Sequence, residues 1–171
     1  MRDAAQHFQA VAVGKRSKVA GAFWEEMIDA ACRHYRAKGI AEISKTPEPM
    51  RQISAKNSKG QFIACYTKQA QPDYKGTLAG GRAVVFEAKH TDGGRMNRSV
   101  ISPEQEKQLD SHTTLGAECF VMVSFDFRQY FKVPWPIFRD MKQHYGRKYI
   151  TPEDVGAYEV KYSGGVLRFL G

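Results

Sequence analysis

From Val19 to Lys38 apolar side chains recur every four residues at Val19, Phe23, Met27, Ala31 and Tyr35, joined by Ala20, Trp24, Ile28 and Cys32. That spacing predicts one amphipathic helix, closed by Gly39. Residues 1–16 show no such period and run into Gly14-Lys15-Arg16-Ser17-Lys18, so 1–18 is expected to be a flexible basic arm. Ile40 to Lys45 alternates apolar and polar like a strand, and Thr46-Pro47-Glu48-Pro49 breaks the pattern. Met50–Ser54 and Gln61–Thr67 then read as strands joined around Asn57-Ser58-Lys59-Gly60, a good hairpin turn. This hairpin has little apolar content and carries Arg51, Lys56, Lys59 and Lys68, so it is expected to project from the domain. Asp73–Leu78 and Arg82–Lys89 form a second hairpin around Ala79-Gly80-Gly81, followed by a polar loop over 90–98.

Ser102-Pro103-Glu104-Gln105 has the form of a helix start, with Ser as N-cap, Pro at the first position and Gln closing a capping box. That helix should run to Leu115 and stop at Gly116. Glu118–Phe125 reads as a buried strand and Gln129–Val133 as another. Pro136–Tyr145 reads as a short helix, Thr151-Pro152-Glu153 as a new helix start, and Tyr158–Tyr162 with Val166–Leu170 as a terminal hairpin. The order predicts an α/β fold in which helices flank one mixed central sheet, as a single domain over 19–171 with hairpin 50–69 inside it.

A length of 171 residues suits one such domain. The longest apolar runs, Ala83-Val84-Val85-Phe86 and Cys119–Val123, fall far short of the ~20 residues of a membrane-spanning helix. The first residues lack the apolar stretch of a secretory signal, so a cytoplasmic protein with no membrane partner is expected. Cys32, Cys65 and Cys119 have no spacing for zinc or a disulfide framework and read as small apolar residues. Lys plus Arg total 26 against 18 acidic residues, a net charge of +8. Such a surplus favours a polyanionic partner, although charge alone does not separate this from a merely basic surface. The basic residues set out for phosphate are Lys15, Arg16 and Lys18 on the arm, Arg51, Lys56, Lys59 and Lys68 on the hairpin, and Arg95 and Arg98 beyond it.

The second hairpin carries the candidate chemistry. In a strand, residues two apart share a face, so Glu87 and Lys89 project together and Ala88 faces away. A loop over Ala79–Gly81 sets Leu78 opposite Arg82, and hence Asp73 opposite Glu87 on the same face. A shorter loop would shift the register and turn Asp73 to the wrong side. Two adjacent carboxylates repel, and a divalent cation removes that conflict. Magnesium takes one or two carboxylates, keeps several waters and accepts phosphate oxygens. It can polarise a phosphoryl group and activate a water, while Lys89 orients that water or stabilises the pentacovalent transition state. The chemistry that follows is phosphodiester hydrolysis. An exposed Glu-x-Lys is more often a solvated pair, but Glu87 follows a run typical of a buried strand, where charges are rare unless paired or metal-bound.

The ordered set resembles the RecU group of Holliday-junction resolvases, in the PD-(D/E)XK nuclease superfamily. The resemblance spans about Gly21 to Phe125. It is carried by Gly21-x-x-Trp24-Glu25-x-x-Ile28, Tyr35, Gly39-Ile40-Ala41, Ile43-x-Lys45-Thr46-Pro47-x-Pro49, Asp73-Tyr74-x-Gly76, Gly81-Arg82, Phe86-Glu87-Ala88-Lys89 and Gln105. It implies a restriction-endonuclease-like sheet and a homodimer that nicks symmetric strands of a four-way DNA junction with Mg2+ or Mn2+ and no small-molecule cofactor. In that group the hairpin after Pro-x-Pro is a stalk that enters the junction centre. By motif, Asp73 and Glu87 are metal ligands, Lys89 is the catalytic lysine and the Ala88 carbonyl completes the coordination. Glu25 takes the place of the first-helix acid. Gln105 is left open between a site residue and a simple capping residue. Phe62, Tyr66 and Tyr74 are weighed as base-stacking or packing residues, and His90 and His112 are assigned no role. Two rival readings are a nuclease of the same superfamily acting on ordinary duplex DNA and a non-catalytic nucleic-acid-binding module.

Overall fold

The structure is a computed structural model that describes residues 2–47, 49–66 and 71–170, with backbone alone for 2–15 and Tyr66. Its elements are α1 (Arg2–Ala37), β1 (Ala41–Lys45), β2 (Met50–Gln52), β3 (Ala64–Tyr66), β4 (Tyr74–Leu78), β5 (Ala83–Thr91), β6 (Met96–Asn97), α2 (Pro103–Thr114), β7 (Glu118–Phe125), β8 (Gln129–Pro134), α3 (Trp135–Arg139), α4 (Met141–Tyr145), β9 (Tyr149–Ile150), β10 (Tyr162–Ser163) and β11 (Val166–Leu167). Five strands form one sheet in the order β1-β4-β5-β7-β8, antiparallel except for the parallel pair β5–β7. The expected mixed α/β architecture is what the chain adopts.

The sheet separates two cores. On one face Trp24, Ile28 and Tyr35 of α1 pack on Ile43, Tyr74, Val84, Phe86, Phe120 and Met122. On the other, Val85, Val121 and Val123 meet Leu109 of α2 and Trp135, Phe138 and Met141 of α3 and α4. β5 and β7 are buried on both sides, which is why they read as almost continuous apolar runs. Tyr74, Phe86 and Phe120 occupy one row across β4, β5 and β7, with ring centroids 4.8 and 4.6 Å apart in sequence. A one-residue slip would turn all three rings to the opposite face, so this ladder fixes the register of everything beside it. Gly76 allows β1 to close on β4: a Cβ there would lie against Glu42 O and 2.7 Å from the Ile43 Cα. Gly80 and Gly81, both at φ +90°, turn β4 into β5 in a conformation that side chains resist.

Several expectations change. The segment read as an arm carries helical backbone, since α1 already begins at Arg2. Its Ala, Gln, Lys and Arg residues are strong helix formers, and helix propensity needs no apolar stripe. The expected loop over 90–98 is partly strand, since β5 runs to Thr91 and β6 pairs with β9. The single helix expected over 136–145 divides into α3 and α4 at Asp140, and Thr151 opens a turn, not a helix. There the Asp154 carboxylate accepts the Thr151 N–H at 2.8 Å and Arg147 Nη2 at 2.5 Å, closing the turn on itself. The terminal hairpin is present as β10–β11, shorter than expected. The hairpin over 50–69 is present as β2–β3, closed by Asn57, whose Oδ1 accepts the Lys59 and Gln61 amides at 3.0 and 2.9 Å.

Candidate active site

The β4–β5 register is the one a loop over Ala79–Gly81 requires: Tyr74 faces Phe86, and the Leu78 N–H donates to Arg82 O at 2.8 Å. β4 starts at Tyr74, one residue later than expected, and Asp73 sits just ahead of it. Its backbone is pinned because the Thr46 N–H donates to Asp73 O at 2.8 Å. Beyond Phe86 the ladder gives way, and the Ala88 N–H donates to Asp73 Oδ2 at 2.9 Å instead. That bond holds the aspartate beside β5. Lys89 Nζ then lies 3.2 Å from Asp73 Oδ2 and 2.8 Å from Glu87 Oε2, so the three side chains form one cluster on the α2 side.

Glu87 is 0% exposed, and its Oε1 has no hydrogen-bond partner among the described residues. Burial is the main force pushing its carboxyl up to about 8; Lys89 pulls against this and Asp73 adds to it. Burial alone would depress Lys89, but the attraction of Asp73 and Glu87 outweighs it and holds the ammonium above its ordinary value. The cluster therefore keeps its cation and strains to ionise its second carboxyl.

Gln105 closes the capping box and also contacts Glu87. Its Nε2 donates to Glu87 Oε2 at 2.6 Å, while its Oε1 accepts the Ser102 N–H at 3.1 Å and its own amide donates to Ser102 Oγ at 3.2 Å. One amide thus caps α2 and orients the glutamate. Glu25 is not brought into the cluster. Its Oε2 accepts from Lys45 Nζ at 2.6 Å, and Glu25, Lys45, Lys18 and Asp73 line one cavity of about 390 Å³. Lys45 stands in the sequence only as part of a motif; its place beside Glu25 depends on β1 docking along α1, which no local pattern reveals.

Among the other expected residues, Arg51, Lys56 and Lys59 are exposed on the β2–β3 hairpin, and Arg16 and Lys18 are exposed on α1. Lys68 and the Lys15 side chain lie outside the described residues. Arg95 is exposed with its guanidinium over the Tyr149 ring at 5.3 Å. Arg98 is turned inward: it donates to Arg139 O at 3.1 Å, pairs with Glu106 at 2.8 Å and stacks over Trp135 at 5.1 Å. Its Nε and Nη2 are engaged within the protein, so it helps brace the fold. Tyr74 is buried with its hydroxyl 2.9 Å from Asp29 Oδ1, a packing residue. His90 lies between Ser124 Oγ at 3.1 Å and Asp92 Oδ1 at 2.9 Å, under Phe127.

The edge of a mixed sheet thus brings Asp73, just ahead of β4, together with Glu87 and Lys89 of β5, backed by a helix glutamine. The family model for RecU, recombination protein U, matches residues 19–170, and the chain belongs to that family. A Holliday junction resolvase RecU of Streptococcus gordonii is 28% identical over 68% of this chain and 60% of its own length. One from Streptococcus equi subsp. zooepidemicus is 37% identical over 61% of this chain and 54% of its own. The chain therefore spans 54–60% of the length of these curated relatives. Among solved structures, Hjc of Archaeoglobus fulgidus, a Holliday junction resolvase, is similar with a TM-score of 0.49 and 13% identity over 81% of this chain and 89% of that one. Among the described residues no helix is long and apolar enough to cross a membrane.

Proposed function

We propose that this protein is a metal-dependent, structure-selective DNA endonuclease that resolves four-way junctions by paired symmetric nicks. It acts as a cytoplasmic homodimer and needs no small-molecule cofactor. The observation that carries the reading is the buried, half-satisfied Glu87 carboxylate held beside Asp73 and Lys89.

The site suits a hard divalent cation. Among the described residues no three of His, Cys, Asp and Glu gather as ligands. Two carboxylates are enough for magnesium or manganese, and the orphaned Glu87 Oε1 is an oxygen with a lone pair to give. Asp73 and Glu87 would hold the ion, with the Ala88 carbonyl as a further oxygen. When bound it supplies Lewis acidity towards the scissile phosphate and lowers the pKa of a coordinated water.

The chain's own residues do the rest. The Ala88 N–H and Gln105 Nε2 fix one oxygen of each carboxylate, so neither swings when charge changes nearby. Lys89, cationic and within reach of both, orients the attacking water and stabilises the negative charge that builds on the phosphoryl oxygens. Glu25, the first-helix acid, borders the same cavity as Asp73 and pairs with Lys45, which sets the charge at that edge of the site. Arg51, Lys56 and Lys59 on the β2–β3 hairpin meet the junction centre, while Arg16 and Lys18 add phosphate contacts.

Incubation with a synthetic four-way junction and a matched linear duplex, with and without Mg2+, tests the reading. Symmetric nicks in the junction alone, and only with the ion, are expected. Equal cutting of the duplex would make it a general duplex nuclease. Binding without cleavage under any divalent metal would make it a binding module.

A further inference from the structure

A cleft of about 950 Å³ lies on the α2 side of the sheet, lined among others by Asn97, Arg98, Ser99, Lys142, Gln143 and Lys148. The chain segments around it are tied to one another. The Arg98 N–H donates to Lys148 O at 2.9 Å, Arg98 Nε donates to Arg139 O at 3.1 Å, and β6 pairs with β9. These bonds link the walls of the cleft to one another.

Its charges are unequally engaged. The two acids on its wall are already neutralised, Glu106 by Arg98 at 2.8 Å and Asp140 by Arg139 at 2.8 Å. Lys142 and Lys148 are exposed, and neither makes an ion pair among the described residues. What remains is a floor braced by paired arginines, two free ammonium groups, and the neutral side chains of Asn97, Ser99 and Gln143. Free cations among neutral hydrogen-bonding groups in one cleft form a surface for a phosphate backbone, which is contacted without reading bases.

Its position matters as much as its charge. Gln105 touches the catalytic Glu87 at 2.6 Å, and the next residue on α2, Glu106, is part of the cleft wall. The cleft therefore adjoins the reactive cluster along one helix, on the side of the sheet that carries Lys89.

Resting on the nuclease reading above, we propose that this cleft seats the sugar–phosphate backbone of the duplex arm leading away from the scissile phosphate. Lys142 and Lys148 are its phosphate contacts, and Asn97, Ser99 and Gln143 are supporting donors. Arg98 builds the floor and does not touch DNA. The β2–β3 hairpin then recognises the branch, and the cleft grips the arm whatever its sequence.

The test measures binding of the 171-residue chain, in Ca2+ without Mg2+, to a labelled four-way junction and a matched duplex over a salt series. Lys142→Glu with Lys148→Glu is compared with Lys38→Glu plus Lys161→Glu, an equal charge change at exposed sites elsewhere. The cleft pair should weaken binding to both DNAs by on the order of tenfold and flatten the logarithmic salt slope by about two, near 0.9 for each phosphate no longer neutralised. The control pair should change affinity by less than about threefold. Lys142→Gln with Lys148→Gln, a milder change, should flatten the slope by the same amount with the melting temperature unaltered. Equal effects of cleft and control pairs, or no change from the cleft pair, would overturn the proposal. A starting protein that cuts junctions while ignoring the cleft substitutions would overturn this inference alone. One that binds no DNA would overturn the nuclease reading with it.

Discussion

The chain contains two antiparallel hairpins that look alike in pattern and meet opposite fates in structure. β4–β5 is buried in a five-stranded sheet, and its register is dictated by the Tyr74–Phe86–Phe120 ladder and the close approach of β1 at Gly76. β2–β3 is a two-stranded sheet with Arg51, Met50 and Gln52 all exposed, held by its own ladder and by the Asn57 turn. A two-stranded hairpin is marginal alone, whereas the central sheet is stabilised on both faces. On the proposed reading the difference divides the work: side chains that must meet within a fraction of an ångström would stand on the first, and those that present charge to DNA on the second.

The comparison breaks most sharply at the cluster itself. Asp73→Asn, Glu87→Gln and Lys89→Ala are each expected to reduce junction nicking by at least about a thousandfold, about 4 kcal/mol of barrier, while junction binding survives. Gel-shift and cleavage assays on the same preparations would check this, and joint loss of binding and cleavage would mean these residues hold the fold. Next in size, Gly76→Ala should destabilise the protein by about 1–3 kcal/mol in urea melts, since the added methyl meets backbone atoms of β1. Gly60→Ala, at φ +76° in open space, should cost about 1 kcal/mol or less and leave nicking intact. Equal damage from the two would erase the contrast between the hairpins. Excision of residues 50–69 should lower the preference for junction over duplex about tenfold in competition binding, with the melting temperature little changed. The smallest effect concerns the stability of Glu87→Gln without metal. Removing an ionisable group that burial already disfavours should leave the protein at least as stable, within about 1 kcal/mol by thermal melting. A loss of several kcal/mol would show that the carboxylate is a structural strut.

Much of this was legible in the chain because local rules and global packing agreed there. A loop over Ala79–Gly81 implied the register that β4 and β5 adopt, although Asp73 lies just ahead of β4 and is held beside β5 by the Ala88 N–H and not by the ladder. The capping box at Ser102 and Gln105 was equally plain, although the second bond of Gln105 to Glu87 depends on α2 crossing under β5. What escaped is non-local or unpatterned. The N-terminal half of α1 has helix-forming composition but no stripe to advertise it. The Glu25–Lys45 pair joins residues twenty apart in sequence across two elements. Arg98 looked like a surface cation, and only the position of Trp135 and Glu106 shows why it faces inward. The Lys142 and Lys148 cleft is assembled from segments that carry no shared motif.

The central claim is that Asp73 and Glu87, with Lys89 beside them, make cleavage conditional on a divalent ion. Its most direct test is single-turnover cleavage of a four-way junction already bound to saturating protein, started by adding MgCl2, for the starting protein and for Asp73→Asn at matched occupancy. The account predicts a burst of paired nicks from the first and none from the second. Equal rates from the two, or cleavage before the ion is added, would contradict it.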